Sequence, residues 1–253
     1  MSTITTKAFV MNSFPWKERH RLLHLLTPEL GLITALAPAS ERLRSEIRAA
    51  TQLFSLSEFV LTVKQSRYSV RSASVIESFI AIAESLERLT AASHAAEVFT
   101  DVARHDEPNR GLFELWAYCI YEISVSEYPV FVARMATLRL MMEIGLTPCL
   151  DACVRCHGHV DEPFRFSFSE GGLLCGKEEF RKTQAELTEL STGTLALLRH
   201  IATAPNRRLF RFYASEETRS EASAFADRWL EERMEKRYNR LELLEHNPTF
   251  LFS

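Results

Sequence analysis

Residues 146–175 read LTPCLDACVRCHGHVDEPFRFSFSEGGLLC, and four of the chain's five cysteines fall inside this stretch, at Cys149, Cys153, Cys156 and Cys175. A Cys-x-x-Cys followed about twenty residues later by a third cysteine has the spacing of a zinc knuckle, because two tight turns must present thiolates to one tetrahedral ion. A second complete Cys-x-x-Cys would end at 178, where the sequence has Glu178. Cys153, Cys156 and Cys175 are therefore three ligand candidates. The fourth comes from Cys149, Glu178, His157 or His159, with Cys149 the first choice because it would complete a four-sulfur set. No βαβ context surrounds the Cys-x-x-Cys, which argues against a thioredoxin-like redox pair. Cys119 lies in an apolar helical pattern and reads as a small core residue.

Upstream of the cysteines, VFVARMATLRLMMEIGL (130–146) ends at Gly145 as a helix cap with Pro148 beyond it, the usual stop signal. LFELWAYCIYEIS (112–124) follows the turn DEPNRG (106–111). Both segments are apolar on most faces and read as the centre of a bundle. Before them, SVIESFIAIAESLERL (74–89) repeats Ile76, Phe79, Ile80, Ile82 and Leu86 at helical period, and HAAEVFTDVARH (94–105) continues after a weak break near Ala91. Downstream come LTELSTGTLALLRHIATA (187–204), a short RRLFRFY (207–213), and a long charged helix over 217–246 with Phe225, Trp229, Met234 and Leu241 as its apolar contacts.

The first seventy residues have another texture. TKAFVMNSF, RLLHLLT, GLITALAP, LSEFVLTVK and YSVRSA are short runs, several of them alternating, broken by Pro15, by Pro28 with Gly31, by Pro38 and by the charged segment Glu41–Arg48. Five such runs predict a small closed or half-closed barrel, although RLLHLL equally fits a helical turn. The fold class is thus α+β, divided into a strand domain over 1–78 and a helical domain over 79–253 with a Cys-rich knuckle at about 146–180.

Composition is that of an ordinary globular chain: 253 residues, 46% hydrophobic, 25% charged, net charge -3. The total gives no basic signature, but residues 1–80 carry ten Lys or Arg against six Asp or Glu, an imbalance compatible with a polyanion-binding module. Nine of those cations fall in three places: Lys17, Arg19 and Arg21 beside His20; Arg42, Arg44 and Arg48; and Lys64, Arg67 and Arg71. Loops of a small barrel can bring such groups onto one face along a phosphate backbone, with Phe9, Phe14, Trp16 and Tyr68 as candidate stacking partners. A second basic group, Arg199, Arg207, Arg208 and Arg211, stands among apolar residues and suits an acidic peptide tail, or is simply a solvated helix face. The chain has no export-signal pattern and no run of eighteen apolar residues, so a cytoplasmic protein with reduced thiols is expected. Phosphate-cradling glycine motifs and a nucleophile elbow are missing. His105-Asp106-Glu107 offers a deaminase-like His-x-Glu, but Ala152 stands where that motif needs proline before Cys153.

Taken in order, these features resemble the bacterial RecO family of recombination mediators and DNA repair proteins. The likeness is carried by RLLHLLTPELGLITALAPAS (21–40), QLFSLSEFVL (52–61) and above all RLMMEIGLTPCLDACVRCHG (139–158) followed by FSFSEGGLLC (166–175). The resemblance implies an N-terminal OB-fold, a mainly helical remainder with an embedded zinc finger, and no catalysis. It also implies binding of single- and double-stranded DNA, annealing of complementary strands, RecR as a partner, and contact with the C-terminal tail of single-strand-binding protein so that RecA is loaded. A nucleoid-associated bacterial location follows from the same likeness. Two departures from the family's text are His157 between Cys156 and Gly158, and Glu178 at the usual place of the fourth cysteine. The competing classes are a zinc-dependent nucleic-acid-processing enzyme and a helical adaptor that does not bind DNA.

Overall fold

The computed structural model describes residues 2–17, 20–38, 45–103, 105, 107–176 and 187–245. Five strands open the chain: β1 (Ser2–Trp16), β2 (His20–Thr27), β3 (Gly31–Ala37), β4 (Leu56–Lys64) and β5 (Arg67–Glu77). They pair in the order β1-β2-β3-β5-β4, and β4 returns to β1 to close the ring. The length of β1 makes closure possible. Its first half, Ser2 to Phe9, pairs with β4, and its second half, Phe9 to Trp16, pairs with β2. A register shift between Val10 and Asn12 bends the strand between these partners, as a bulge does.

Alternation decides which side chains enter the barrel. Ala8 and Val10, Leu23 and Leu25, Ile33, Ala35 and Ala37, and Phe59 and Leu61 recur at period two and, with Ala50, Val70 and Ala73, form its core. RLLHLL is thereby a strand and not a helical turn. The strand β5 also runs further than the helical period of 74–89 suggested: Ser57 pairs with Val75 and Leu56 with Glu77, and the β-branched pair Val75-Ile76 favours the extended chain. Helical structure starts only with α2 (Ile80–Ala83) and α3 (Leu86–Val102), which passes Ala91 without a break. Within the charged segment expected as a break lies a short helix, α1 (Ser45–Ala50). Ser55 and Ser57 donate their hydroxyls to the Ala50 carbonyl and tie it to the barrel.

Compactness divides the chain into one unit of Met1–Ala133 with the chain from Asn239, and another of Arg134–Tyr238. In the first, α3 and α4 (Arg110–Val125) pack on the barrel through a ring cluster in which Trp116 meets Phe9, Phe54 and Phe99. The turn DEPNRG does start α4: Asn109 accepts the Leu112 amide at 2.9 Å. Gly31 (φ +66) is compelled by closeness, since a Cβ there would stand 2.1 Å from the Glu107 carbonyl oxygen. Cys119 is fully buried, and burial pushes its thiol far up, as a core cysteine requires.

The helix α5 (Pro129–Glu143) is buried along most of its length and closes as expected, with Gly145 at φ +93 and the Leu146 amide donating to Met141. In the second unit, the Cys-rich knuckle segment is set in a four-stranded sheet. Strands β6 (Cys149–Cys153), β7 (Phe164–Ser167), β8 (Gly172–Leu174) and β9 (Leu187–Leu190) are ordered β6-β8-β7-β9. β9 takes the start of LTELSTGTLALLRHIATA (187–204), so α6 covers only Thr192–Thr203. The long final helix is likewise shorter: α7 (Glu216–Met234) stops where Glu235 turns left-handed at φ 49, and a short α8 (Glu242–Glu245) follows. Phe166, Phe168, Phe225 and Trp229 form the aromatic heart of this unit. Arg228 lies 4.3 Å over Phe168 and Arg233 4.3 Å over Trp229, which closes the cluster with two cation–π contacts. Among the described residues no helix is long and apolar enough to cross a membrane.

Candidate nucleic-acid interface and metal centre

Strand register brings the basic groups of the barrel to one end. Trp16 pairs with His20 and Pro15 with Arg21 across the β1–β2 turn. Arg21 also stands opposite Ala37 at the end of β3, and Ala35 and Leu36 of that strand pair with Tyr68 and Ser69 at the start of β5. Lys64 pairs with Arg67 around the β4–β5 turn. Lys17, Arg21, Lys64 and Arg67 therefore share the rim with Phe14, Trp16 and Tyr68.

The side chains differ in freedom. Lys17 (φ 53), Lys64 and Arg67 are exposed, whereas Arg21 is half-buried and fixed to Ser13, its Nε 2.6 Å from the hydroxyl and its Nη2 3.1 Å from the carbonyl. Phe14 is 42% and Trp16 46% exposed, as stacking platforms need to be, while Tyr68 packs partly against the barrel core and Phe9 is buried outside it, against Phe79, Phe113 and Trp116. Phe9 is thus a core residue and does not belong to the stacking set. Arg71 is the extra residue where β5 slips against β4 (Val60↔Ser72, then Leu61↔Val70), and it points to solvent. Arg48 is exposed on the last turn of α1. Arg19, Arg42 and Arg44 lie outside the described residues.

One turn at this rim escapes sequence reading. Gln65 and Ser66 both have positive φ, 49° and 57°, the mirror-image turn that hairpins prefer, made without the glycine or asparagine that would advertise it. His24 on β2 faces Phe14 (ring centroids 5.2 Å apart) and His105 (6.2 Å). Burial, assisted by repulsion from His105, holds its imidazole below the usual histidine range. His105 itself lies 3.1 Å from the Leu32 carbonyl through Nδ1; the deaminase-like triplet is in part a barrel contact, and Asp106 lies outside the described residues.

In the second unit, parallel pairing of β6 with β8 (Cys149↔Gly172, Cys153↔Leu173) carries Cys153 alongside the strand that leads to Cys175. The knuckle after β6 is closed by the His157 amide on the Cys153 carbonyl (2.8 Å) and by the Cys153 amide on Gly158 (2.9 Å), which returns Cys156 to the same side. Ligand atoms of Cys153, Cys156 and Cys175 lie within 4.8 Å of one another. The Cys156–Cys175 sulfur separation is 3.7 Å. Two sulfurs on a tetrahedral zinc with bonds of about 2.3 Å stand roughly 3.8 Å apart, so these thiols fit the ion. Burial disfavours the Cys153 thiolate, but the amides of Cys156, Cys175 and Arg155 and the Cys175 side chain outweigh it and bring the thiol down to about 7. Arg155 clamps the knuckle through a two-pronged pair with Glu170, both contacts 2.6 Å.

Cys149, the first choice for fourth ligand, is outside this cluster. Its thiol donates to the Ala152 carbonyl at 3.4 Å, and its Cβ backs onto Gly172, where an added methyl would come within 2.7 Å. That packing accounts for the Gly-Gly turn. His157 and His159 are exposed and also outside the cluster, His159 pairing with Asp161 at 3.2 Å. Glu178 lies outside the described residues.

The second basic group divides. Arg199 is committed to the fold, with Nε and Nη2 on the Leu150 carbonyl at 3.1 and 2.7 Å and Asp151 beside it. Arg207, Arg208 and Arg211 are exposed on and after a 3-10 turn, Asn206–Arg208. His200 fixes that turn, its Nε2 lying 3.2 and 3.1 Å from the Arg208 and Leu209 carbonyls and its ring against Phe212. Tyr213, 96% exposed, joins these arginines and is hidden from sequence reading because an aromatic in RRLFRFY reads as packing.

Residues 1–79 match the family model of the recombination protein O N terminal domain, and residues 83–242 that of the recombination protein O C terminal domain. A DNA repair protein RecO from Acetivibrio thermocellus is 31% identical over 97% of both chains. Another from Alkaliphilus metalliredigens is 32% identical over 68% of this chain and 70% of its own, and one from Desulforamulus reducens is 26% identical over 94% and 92%.

Proposed function

Because the chain belongs to the RecO family of DNA repair and recombination proteins, we propose that its barrel is an OB-fold that binds single- and double-stranded DNA at the rim of Lys17, Arg21, Lys64 and Arg67. The observation that carries this reading is the convergence of those cations with the exposed rings of Phe14 and Trp16 at one barrel end. Arg19, Arg42 and Arg44, outside the described residues, remain DNA-contact candidates on sequence alone, and Arg48 and Arg71 are assigned to the margin of the rim. Cations neutralise phosphates and rings stack bases without regard to sequence. Two strands held on one rim meet at high effective concentration, which speeds annealing with no bond-making side chain. The protein is read as a mediator and not as an enzyme.

The mediator reading extends to partners. Arg207, Arg208 and Arg211, with Tyr213, suit the acidic C-terminal tail of single-strand-binding protein; RecR is the assembly partner, and RecA loading onto the covered strand is the outcome. Functionally the chain divides into a DNA-contacting domain over 1–78 and a domain over 79–253 that meets proteins, working on the bacterial nucleoid in the cytoplasm. Zinc would be held by Cys153, Cys156 and Cys175, with Glu178 the candidate for the fourth position, and would supply a cross-link between β6 and β8. A zinc enzyme is disfavoured because His105 is held at the barrel backbone, its Nδ1 3.1 Å from the Leu32 carbonyl.

Annealing of complementary oligonucleotides coated with single-strand-binding protein tests the proposal. Phe14→Ala with Trp16→Ala slows annealing at least tenfold at unchanged stability, since two stacking contacts are worth about 1–3 kcal/mol each. An unaltered annealing rate in that variant would remove the rim from the mechanism.

A further inference from the structure

We propose that Cys153, Cys156 and Cys175 form a three-sulfur capture site for trivalent thiophilic metalloids, arsenite being the accessible member, and that arsenite displaces zinc there. The inference deepens the zinc reading of the same cluster and starts from a count of sulfur. The sequence has five cysteines. Cys119 is fully buried on α4 in the other compact unit, and the Cys149 thiol is turned to the Ala152 carbonyl, outside the cluster. An all-sulfur set in this chain therefore stops at three.

That number separates the two kinds of guest. Zinc is tetrahedral and in closed structural sites takes four protein donors, so here it must accept a fourth of another kind. Trivalent arsenic carries a lone pair in place of a fourth ligand and is complete with three sulfurs. Soft thiolates favour such thiophilic centres. Geometry permits the exchange: the three ligand atoms already lie within 4.8 Å of one another, and Cys156 and Cys175 stand 3.7 Å apart. Cys156 and Cys175 are half-buried while Cys153 is buried, so an incoming molecule meets the two accessible thiols first and the third closes the set. The step balances without an oxidant. Arsenous acid and three thiols give one arsenic trithiolate and three waters: three As–O and three S–H bonds break, three As–S and three O–H bonds form, and arsenic stays trivalent.

Native mass spectrometry of the full-length protein, kept reduced with a phosphine and mixed with arsenite, reads the outcome. The expected adduct is one arsenic less three hydrogens, present in the wild type and in Cys149→Ala, absent in Cys156→Ser and Cys175→Ser. In zinc-loaded protein, arsenite releases one zinc per chain to a chromophoric chelator. Equal uptake by Cys175→Ser, loss of uptake in Cys149→Ala, or no wild-type adduct overturns the proposal. If the serine variants do not fold, X-ray absorption at the arsenic edge of the wild type decides: three sulfur neighbours support the site and two contradict it. Zinc analysis of the same wild-type sample separates the two readings. Zinc without arsenite sinks this inference alone, arsenite without zinc sinks the zinc reading alone, and neither sinks both.

Discussion

The barrel rim and the cysteine knuckle are assembled by opposite routes. Lys17 and Arg21 reach Lys64 and Arg67 only because β2, β3 and β5 are hydrogen-bonded in sequence around a ring. Cys153 and Cys156 share one turn, and a single parallel contact of β6 with β8 adds Cys175. The rim is a property of the whole barrel and is expected to tolerate change at any one cation; the knuckle is local, and each of its three clustered cysteines is expected to be indispensable to it. The lesson is that a surface which tracks a polymer can be distributed, whereas a site for one ion must be concentrated.

This contrast can be broken from either side. The largest effect is expected at Trp229, which packs on Phe166, contacts Arg233 and donates to the Leu146 carbonyl at 3.0 Å. Trp229→Ala costs about 3–5 kcal/mol, read by denaturant unfolding, and weakens metal retention while DNA affinity of the barrel stays at the wild-type level; a parallel loss of DNA affinity would deny that the two sites are independent. Next is Gly31→Ala, which meets the Glu107 carbonyl and an unfavourable φ. It costs about 1–3 kcal/mol and lowers the melting temperature, with metal content unchanged.

A smaller gain of about 1 kcal/mol is expected on replacing Gln65-Ser66 by Asn-Gly, the residues this mirror-image turn favours. Thermal melting checks it, and DNA binding should be unaltered because Lys64 and Arg67 keep their positions. The smallest effect is at His24. Its folded-state pKa is lowered, so the unfolded chain binds the proton more readily. Stability is therefore full above the unfolded value of about 6.5 and declines as pH falls below it. His24→Phe flattens the melting temperature between pH 7 and 5; an equally steep decline would show that another group is responsible.

How much of this is legible in the sequence follows from the same contrast. Local signals read well: the DEPNRG turn before α4, the Gly145 stop and three of the four cysteines are visible because each depends on neighbours within a few residues. The alternating runs give the five strands, yet the end of β5 reads as helix, since Ile76, Phe79 and Ile80 mimic a helical stripe until pairing with β4 is known. Cys149 looks like a ligand because it would complete a four-sulfur set; only the close packing of its Cβ on Gly172 reveals a structural role. Arg199 belongs with the other arginines by proximity, and the Leu150 carbonyl that claims it is 49 residues away.

The central claim is that DNA is held at the barrel rim, and the salt dependence of single-stranded DNA binding tests it most directly. Lys64→Glu with Arg67→Glu is expected to lower the slope of log affinity against log salt by roughly 1.4, about 0.7 for each phosphate no longer neutralised, while Arg207→Glu with Arg208→Glu leaves it unchanged. An unchanged slope in the first variant together with a reduced one in the second would move the DNA site off the barrel and contradict the account.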